Sequence, residues 1–418
     1  MTRSIRPTQI LVVLALINLV SYAARNALFA VYPDLTARYG IDDSEIGFLQ
    51  TVFMVPHAAA TLGFGWAGDR FDRRRVITWG MIIASVAGAL GAVGESYLGL
   101  AVSRAFVGFG TAAVVPVANS ILGQIFEGPA KASRLSFFNL GLFVGGVVGF
   151  AAGTLLGFPL VVVALALPGI ALAAIVAAIY VPPRVDDRAS RAEISLQMRS
   201  AMNGWRQLLG ISTLRWVIAS TTVMAFSAGS FNAWLKEFLV REKHMSEEAA
   251  TSLLVLALAG GLSGILVGGQ IADRLRKRLA TGRLWTIVLG MTLTAPCAAI
   301  ALVIPKGLAL DGIGVLTLFF ISWYHAPMAA TVDDLAPTRL TVAAQGLVIF
   351  TMHMIGTAPS SWVIGAISEE TDLTTALWVP TLALVVAAAC MALATRSFAR
   401  DHARAGHGQP VTTVVGTT

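Results

Sequence analysis

Long apolar runs separated by short polar stretches divide the whole chain. Runs of spanning length fall at 8–32, 46–68, 75–95, 98–122, 134–157, 159–182, 214–238, 249–272, 284–304, 310–332, 341–366 and 373–396. A helix needs about 20 apolar residues to cross a hydrocarbon layer about 30 Å thick. Lipid offers peptide groups no water to bond, so only helices or closed barrels span it. Barrel strands are segments of about 10 residues with alternating polarity, a poor match to runs this long and uniform. The pattern predicts an all-α membrane protein with twelve transmembrane helices. The first run starts near Ile10 and continues past Phe29. That is longer than the roughly 7–15 apolar residues of a cleaved leader, so it is expected to stay as a span.

The polar stretches set the organisation. Pro182–Arg215 is the only long one in the middle, and it separates two groups of six spans. The expected units are a six-helix bundle at 1–182, a linker at 183–213, a second six-helix bundle at 214–398 and a tail at 399–418. Basic residues crowd alternate loops. They are Arg3 and Arg6; Arg70, Arg73, Arg74 and Arg75; Lys131 and Arg134; Arg184, Arg188, Arg191 and Arg199; Arg274, Arg276, Lys277, Arg278 and Arg283; Arg339; and Arg396, Arg400 and Arg404. The opposite loops hold only Arg38, Lys306 and the Arg241–Lys243 stretch. Positive charge gathers on the cytoplasmic side, so both termini are expected there, in a plasma (inner) membrane.

Composition narrows the class. Hydrophobic residues make up 56% of the 418 and charged residues 13%, against about 25% charged in a soluble protein; mean hydropathy is +0.74. Disordered chains, small disulfide scaffolds and soluble enzymes are excluded. The net charge of +7 does not signal nucleic acid, because the basic residues border apolar spans and have no aromatic platform beside them. Cys297 and Cys390 lie inside apolar runs and form no CxxC, which assigns them to packing. No GxxxxGK[ST], HExxH or GxSxG occurs, so the reading is a non-enzyme with no cofactor, no metal and no direct use of ATP.

An internal repeat sharpens this. Gly65-Trp66-Ala67-Gly68-Asp69-Arg70-Phe71-Asp72-Arg73-Arg74 stands between spans 2 and 3, and Gly269-Gln270-Ile271-Ala272-Asp273-Arg274-Leu275-Arg276-Lys277-Arg278 between spans 8 and 9. Both read G-x-x-x-D-R-x-x-basic-basic at the same place in each half. Two similar six-helix halves are the architecture of a secondary transporter.

On these residues the chain resembles the major facilitator superfamily over about residues 8–396. Within it, four stretches are similar to Spinster-like lipid transporters: Ile46–Gln50, Asp69–Arg75, Arg104–Gly110 and Trp234–Leu239. The resemblance implies two six-helix bundles rocking about a central site, with Asp69, Arg70, Arg73, Asp273 and Arg274 in an inner latch. It also implies proton coupling through Asp-Arg in span 1 and Gly-Glu in span 4. This chain has Ala24-Arg25 and Gly110-Thr111 instead, so coupling by that route is in question.

Candidate site residues follow from charge at depth. Arg25 lies past the middle of span 1, where a charge costs about 2.5–3.5 kcal/mol on insertion scales and should face a cavity or partner. Asn18, Tyr22, Arg25 and Phe29 share one helical face. A guanidinium binds carboxylate or phosphate through two parallel hydrogen bonds. The alternative is a structural ion pair, but no carboxylate stands at matching depth in spans 2, 4, 5, 8 or 11. Arg104 in span 4, near Thr111, either binds substrate or satisfies neighbouring carbonyls.

His57, His325 and His353 are either packing residues or proton carriers. Lys236 with Glu237, and Asp333 with Asp334, are solvated helix ends or gates. Phe53, Met54, Phe231 and Trp234 suit an apolar cavity for an acyl chain, or a lipid-facing surface. Glycines at 141, 145, 149 and 153 line one face of span 5 for close packing.

The function expected is alternating-access transport of an amphipathic anion such as a lysophospholipid. A symporter or facilitator of a compact organic anion, or a multidrug or metabolite exporter, is the alternative. Membrane lipids and protons are the expected partners, with no nucleic acid, and the protein is expected as a monomer.

Overall fold

A computed structural model describes residues 7–126, 130–178, 204–337 and 340–404, the side chains at 65, 66, 68–70, 130–133, 136, 326 and 342 excepted. The helices are α1 (Pro7–Ala30), α2 (Tyr32–Tyr39), α3 (Asp43–Arg70), α4 (Arg73–Val93), α5 (Tyr97–Thr111), α6 (Val114–Ile125), α7 (Ala130–Leu156) and α8 (Leu160–Ala178) in the first half. The second half holds α9 (Ser212–Arg241), α10 (Glu247–Arg278), α11 (Gly282–Val303), α12 (Leu308–Ile321), α13 (His325–Leu335), α14 (Thr341–Thr351), α15 (Ala358–Glu370) and α16 (Leu373–Arg404).

Eleven helical stretches among the described residues are long and apolar enough to cross a membrane. The twelfth long helix, α9, carries Ser, Thr, Asn, Lys, Glu and Arg along its 30 residues, which lowers its hydropathy. Several of its Ser and Thr groups are turned inward: Ser220 donates to the Ala387 carbonyl and Ser227 to that of Pro380, both in α16. The fold is all-helical, two six-helix bundles, as the apolar pattern predicts. Two boundaries differ in detail. Residues 204–209, inside the expected linker, are helical, with Trp205 against Phe350. In addition, α16 runs on to Arg404, into the expected tail.

Three predicted spans are interrupted, and a proline sits just after each break. Pro116 follows the α5–α6 turn, Pro327 the 3₁₀ turn Ser322–Tyr324, and Pro359 the π-helical segment Met352–Thr357. Proline lacks an N–H and its ring crowds the carbonyl four residues back, so the regular ladder fails there.

In lipid, helices associate through close packing rather than the hydrophobic effect. The span 5 glycines show how. A Cβ on Gly145 would overlap the Leu19 carbonyl oxygen of α1, and one on Gly149 that of Ala23, so α7 lies directly against the α1 backbone.

The buried apolar residues form three large groups. One mixes both halves and includes Phe29, Tyr32, Ile46 and Leu49 with Trp234, Phe238, Leu253 and Ile364. The second holds only second-half residues, Leu208 to Phe398, and the third only first-half residues, Ile10 to Val176. The halves are therefore fused at the end bearing Tyr32 and Trp234, here the sealed end. They have separate cores toward the opposite end, which carries Arg73–Arg75 and Arg276–Arg278 and is here the basic end.

Candidate functional site

Helices α3 and α15 trace the opening. At the sealed end, a Cβ on Gly365 would overlap the Asp43 carbonyl oxygen and one on Gly47 that of Ser361. Thr51 then donates to the Ala358 carbonyl at 2.6 Å. Further along, the His57 and His353 rings meet with centroids 6.4 Å apart. Beyond them the two halves keep separate buried cores. A cleft opens between the halves toward the basic end, and the two histidines stand where it narrows. On the other flank, Phe143 of α7 meets His325 of α13 at 6.2 Å.

Next to this pinch lie two arginines. The Arg25 and Arg104 guanidinium carbons sit 5.6 and 4.7 Å from the centroid of the Phe53 ring. A cation over an aromatic face gains about 0.5–2 kcal/mol, well short of what full ion pairing supplies in a low-dielectric site. Among the described residues, neither guanidinium reaches a carboxylate. Arg25 Nε and Arg104 Nε and Nη2 are buried without a hydrogen-bond partner. Arg104 is buried and Arg25 part-buried, and charge removed from water without a counter-charge is unfavourable unless an anion meets it. Arg104 and Thr111 also border a small, mainly apolar cavity of about 50 Å³ between α1, α4, α5 and α8. By volume that is room for a few waters and no acyl chain.

The other candidates fall into distinct places. Asn18 is buried and donates to the Phe138 carbonyl at 3.0 Å, leaving its own oxygen unpartnered. Tyr22 is part-buried, one turn before Arg25 on α1. Phe29 is fully buried among Tyr32 and Phe150. Trp234 is fully buried too and donates to the Ser361 carbonyl, so these two belong to the sealed core rather than to the open wall in this conformation. Phe231 is half-buried beside that core.

Of the latch candidates, Asp273 and Arg274 are exposed. The side chains of Asp69 and Arg70 lie outside the described residues. Arg73 is buried, and it bonds Ser120 and Gln124 of α6 in its own half. Asp333 and Asp334 engage Gln345 and Arg283, again within one half.

The sealed end holds the polar contacts between halves. Lys236 donates to the Ala30 carbonyl at 2.6 Å and to Glu247 at 2.9 Å. Arg241 grips Asp43 with two hydrogen bonds of 2.8 Å while its Nε reaches Glu237 at 3.1 Å. Ser368 adds a third bond to Asp43, and Asn232 donates to Asn26. Asp43, Asn26 and Asn232 escape a reading of the sequence, because their importance comes from a partner about 200 residues away. Their only local signal is a polar residue at a span end.

A membrane carrier with a central cleft closed at one end is what this geometry defines. Comparison with known proteins agrees. The sequence profile of the Major Facilitator Superfamily matches residues 14–361, and the chain belongs to that superfamily. It is similar to protein spinster homolog 3 of Danio rerio (28% identical over 383 residues, 86% of this chain and 76% of the relative). It is also similar to protein spinster homolog 1 of Homo sapiens (27% over 402 residues, 87% and 74%). A third relative is the sphingosine-1-phosphate transporter SPNS2 of Danio rerio (25% over 398 residues, 86% and 76%). Among solved structures, a bacterial homolog of the human lysosomal transporter Spinster, in an inward-facing and unoccupied conformation, matches with a TM-score of 0.81. It is 19% identical, covering 94% of this chain and 98% of that one. The protein is thus a transporter of the major facilitator superfamily, similar to the Spinster proteins, and an integral membrane protein.

Proposed function

We propose that this transporter moves an amphipathic anion, a lysophospholipid or related single-chain lipid with a phosphate or carboxylate head, by alternating access. The observation that carries the reading is the pair of guanidinium groups, buried Arg104 and part-buried Arg25, which share the Phe53 ring and reach no acid among the described residues. A headgroup between the halves supplies the missing charge and accepts charge-assisted hydrogen bonds. The tail lies in the interhalf cleft, since the small cavity beside Arg104 is too tight for it. The zebrafish relative is a sphingosine-1-phosphate transporter, and that lipid has this chemistry, which supports the choice.

In this reading residues 1–182 and 214–398 rock as two bundles joined by the 183–213 linker, with 399–418 as tail. The basic end is cytoplasmic, in the inner membrane, and the sealed end is the outer gate. Lys236, Glu237, Asp43 and Arg241 part when that gate opens. The Asp69, Arg70, Arg73, Asp273 and Arg274 latch forms when the basic end closes. Binding energy is effective only where it differs between the two states.

The test is transport across a sealed bilayer. Purified protein in liposomes is expected to carry labelled lysophosphatidylglycerol from one leaflet to the other faster than empty liposomes do. A rate equal to that of empty liposomes, with short-chain organic acids carried instead, would replace the lipid reading by the compact-anion one.

A further inference from the structure

We propose that His57 and His353, facing each other across the two halves, form a shared proton site that loads when an anionic substrate arrives, making this carrier a proton–anion symporter. The inference rests on the amphipathic-anion reading above and adds the coupling ion and its residues.

The geometry defines which nitrogen takes the proton. His57 Nδ1 lies 3.1 Å from the Gly108 carbonyl oxygen, which can only accept, so Nδ1 carries the hydrogen of the neutral ring. The Thr111 hydroxyl donates to the Val107 carbonyl at 2.9 Å and offers its lone pair to the same Nδ1 at 3.2 Å. Thr111 stands where the resemblance implies a glutamate. A hydroxyl there orients the imidazole where a carboxylate would titrate. Nε2 is left as the basic atom; among the described residues no partner holds it, and it is not among the atoms sealed from solvent. His353 stands on the π-helical segment of the other half, its Nδ1 in long contact with Thr357 at 3.5 Å and its Nε2 likewise open. π-Segments recur at functional positions because they break the helical ladder to turn a side chain inward. Phe53 stacks on His57 at 5.5 Å, joining the imidazole to the ring that the two arginines share.

The charges around the pair decide when it loads. From α1, Arg25 stands over the Phe53 ring that stacks on His57, with Tyr22 one turn before it on the same helix. From α5 comes Arg104, across Phe53. Tyr324 and His325 flank the cleft from α13 and the turn before it, while the α9 residues against the π-segment, Thr222 and Ala225, do not titrate. No carboxylate contacts either ring among the described residues. An empty site is therefore net positive and repels a proton. A bound headgroup reverses that balance, and one proton passes from water at the open end to an Nε2, giving one imidazolium. Mutual repulsion of the rings limits the pair to a single proton. When the cleft opens to the other side and the anion leaves, Arg25 again repels the proton, which leaves with it. Linkage makes the effect reciprocal: the anion promotes protonation, and protons tighten anion binding.

The probe is lysophosphatidylglycerol, whose phosphodiester does not titrate near neutral pH. Calorimetry in buffers of different ionisation enthalpy counts the protons taken up on binding to the full chain in nanodiscs. The expected result is about one proton per lipid, with affinity weakening about tenfold per pH unit where the bound site holds one proton more than the free site. His57→Gln and His353→Gln are expected to bind with no uptake and no pH dependence. His402→Gln, at the basic end, should keep both. Either cleft variant alone decides the matter if the other does not fold. Binding without proton uptake in the natural protein, or the same uptake in the Gln variants, would overturn the proton site and leave the substrate reading standing. An absence of binding at every pH would remove the substrate reading and this one with it.

Discussion

The Lys236 ammonium sits 2.6 Å from the carbonyl oxygen of Ala30, the last residue of α1, in the opposite half. Terminal carbonyls of a helix lack intrahelical donors and carry the negative end of its dipole. Lys236 therefore caps a first-half helix from the second half. Its side chain is fully buried, and Glu247 balances its charge from a partly exposed position. The contact is available only while the sealed end stays closed.

Lys236→Met should remove this cap and shift the population away from the sealed state. A charge-assisted hydrogen bond contributes about 1.5–3 kcal/mol, enough to change a two-state ratio more than tenfold. Spin labels on Ala37→Cys and Glu370→Cys, with Cys297 and Cys390 replaced by Ser, would read the separation of the halves. A longer main distance in the Met variant is expected; an unchanged distribution would remove Lys236 from the gate.

Gly365 of α15 and Gly63 of α3 should behave oppositely. Gly365→Val forces a side chain into the Asp43 backbone, whereas Gly63→Val enters open space. The first should hold the sealed end open and raise labelling of Cys placed at Asn26. The second should leave labelling unchanged at this end.

Gly149 acts inside one half. A Leu there must push α7 off the Ala23 carbonyl of α1. Overpacking costs about 1–3 kcal/mol, more when backbone must move. Thermal unfolding in detergent should fall by several degrees for Gly149→Leu, with or without substrate.

The loop before α3 gives a pH test outside the membrane. Asp42 caps α3 by accepting from the Glu45 N–H at 2.8 Å, and the Glu45 carboxylate returns a bond to the Asp42 N–H. The Glu45 backbone bond holds the Asp42 carboxyl below its ordinary value. Its contribution is present above the ordinary carboxylate range and is lost as pH falls through the lower folded value. Asp42→Ala should cost about 0.5–2 kcal/mol at neutral pH. The gap between variant and natural protein should close in strong acid.

Much of this could be read in the chain. Span positions follow from apolar length, and the span 5 glycines point to a close neighbour. Arg25 without an acid at its depth stands out in the sequence as it does in space. What stayed hidden depends on long-range register. Nothing local pairs Asp43 with Arg241, or His57 with His353. Trp234 looks like a cavity wall until Ser361 is found holding its indole N–H. The breaks before Pro116, Pro327 and Pro359 are ambiguous in sequence, because Pro56, Pro168, Pro296 and Pro380 lie in helices that continue.

In the proposed mechanism an anion meets the charge of Arg25, which no carboxylate among the described residues reaches. The direct measurement is the affinity of lysophosphatidylglycerol for the natural protein and for Arg25→Ala and Arg25→Lys, in nanodiscs at constant pH. Loss of a buried charge-assisted contact of about 1.5–3 kcal/mol predicts affinity lower by tenfold or more in the Ala variant, with partial recovery in Lys. Equal affinity in all three would contradict the account.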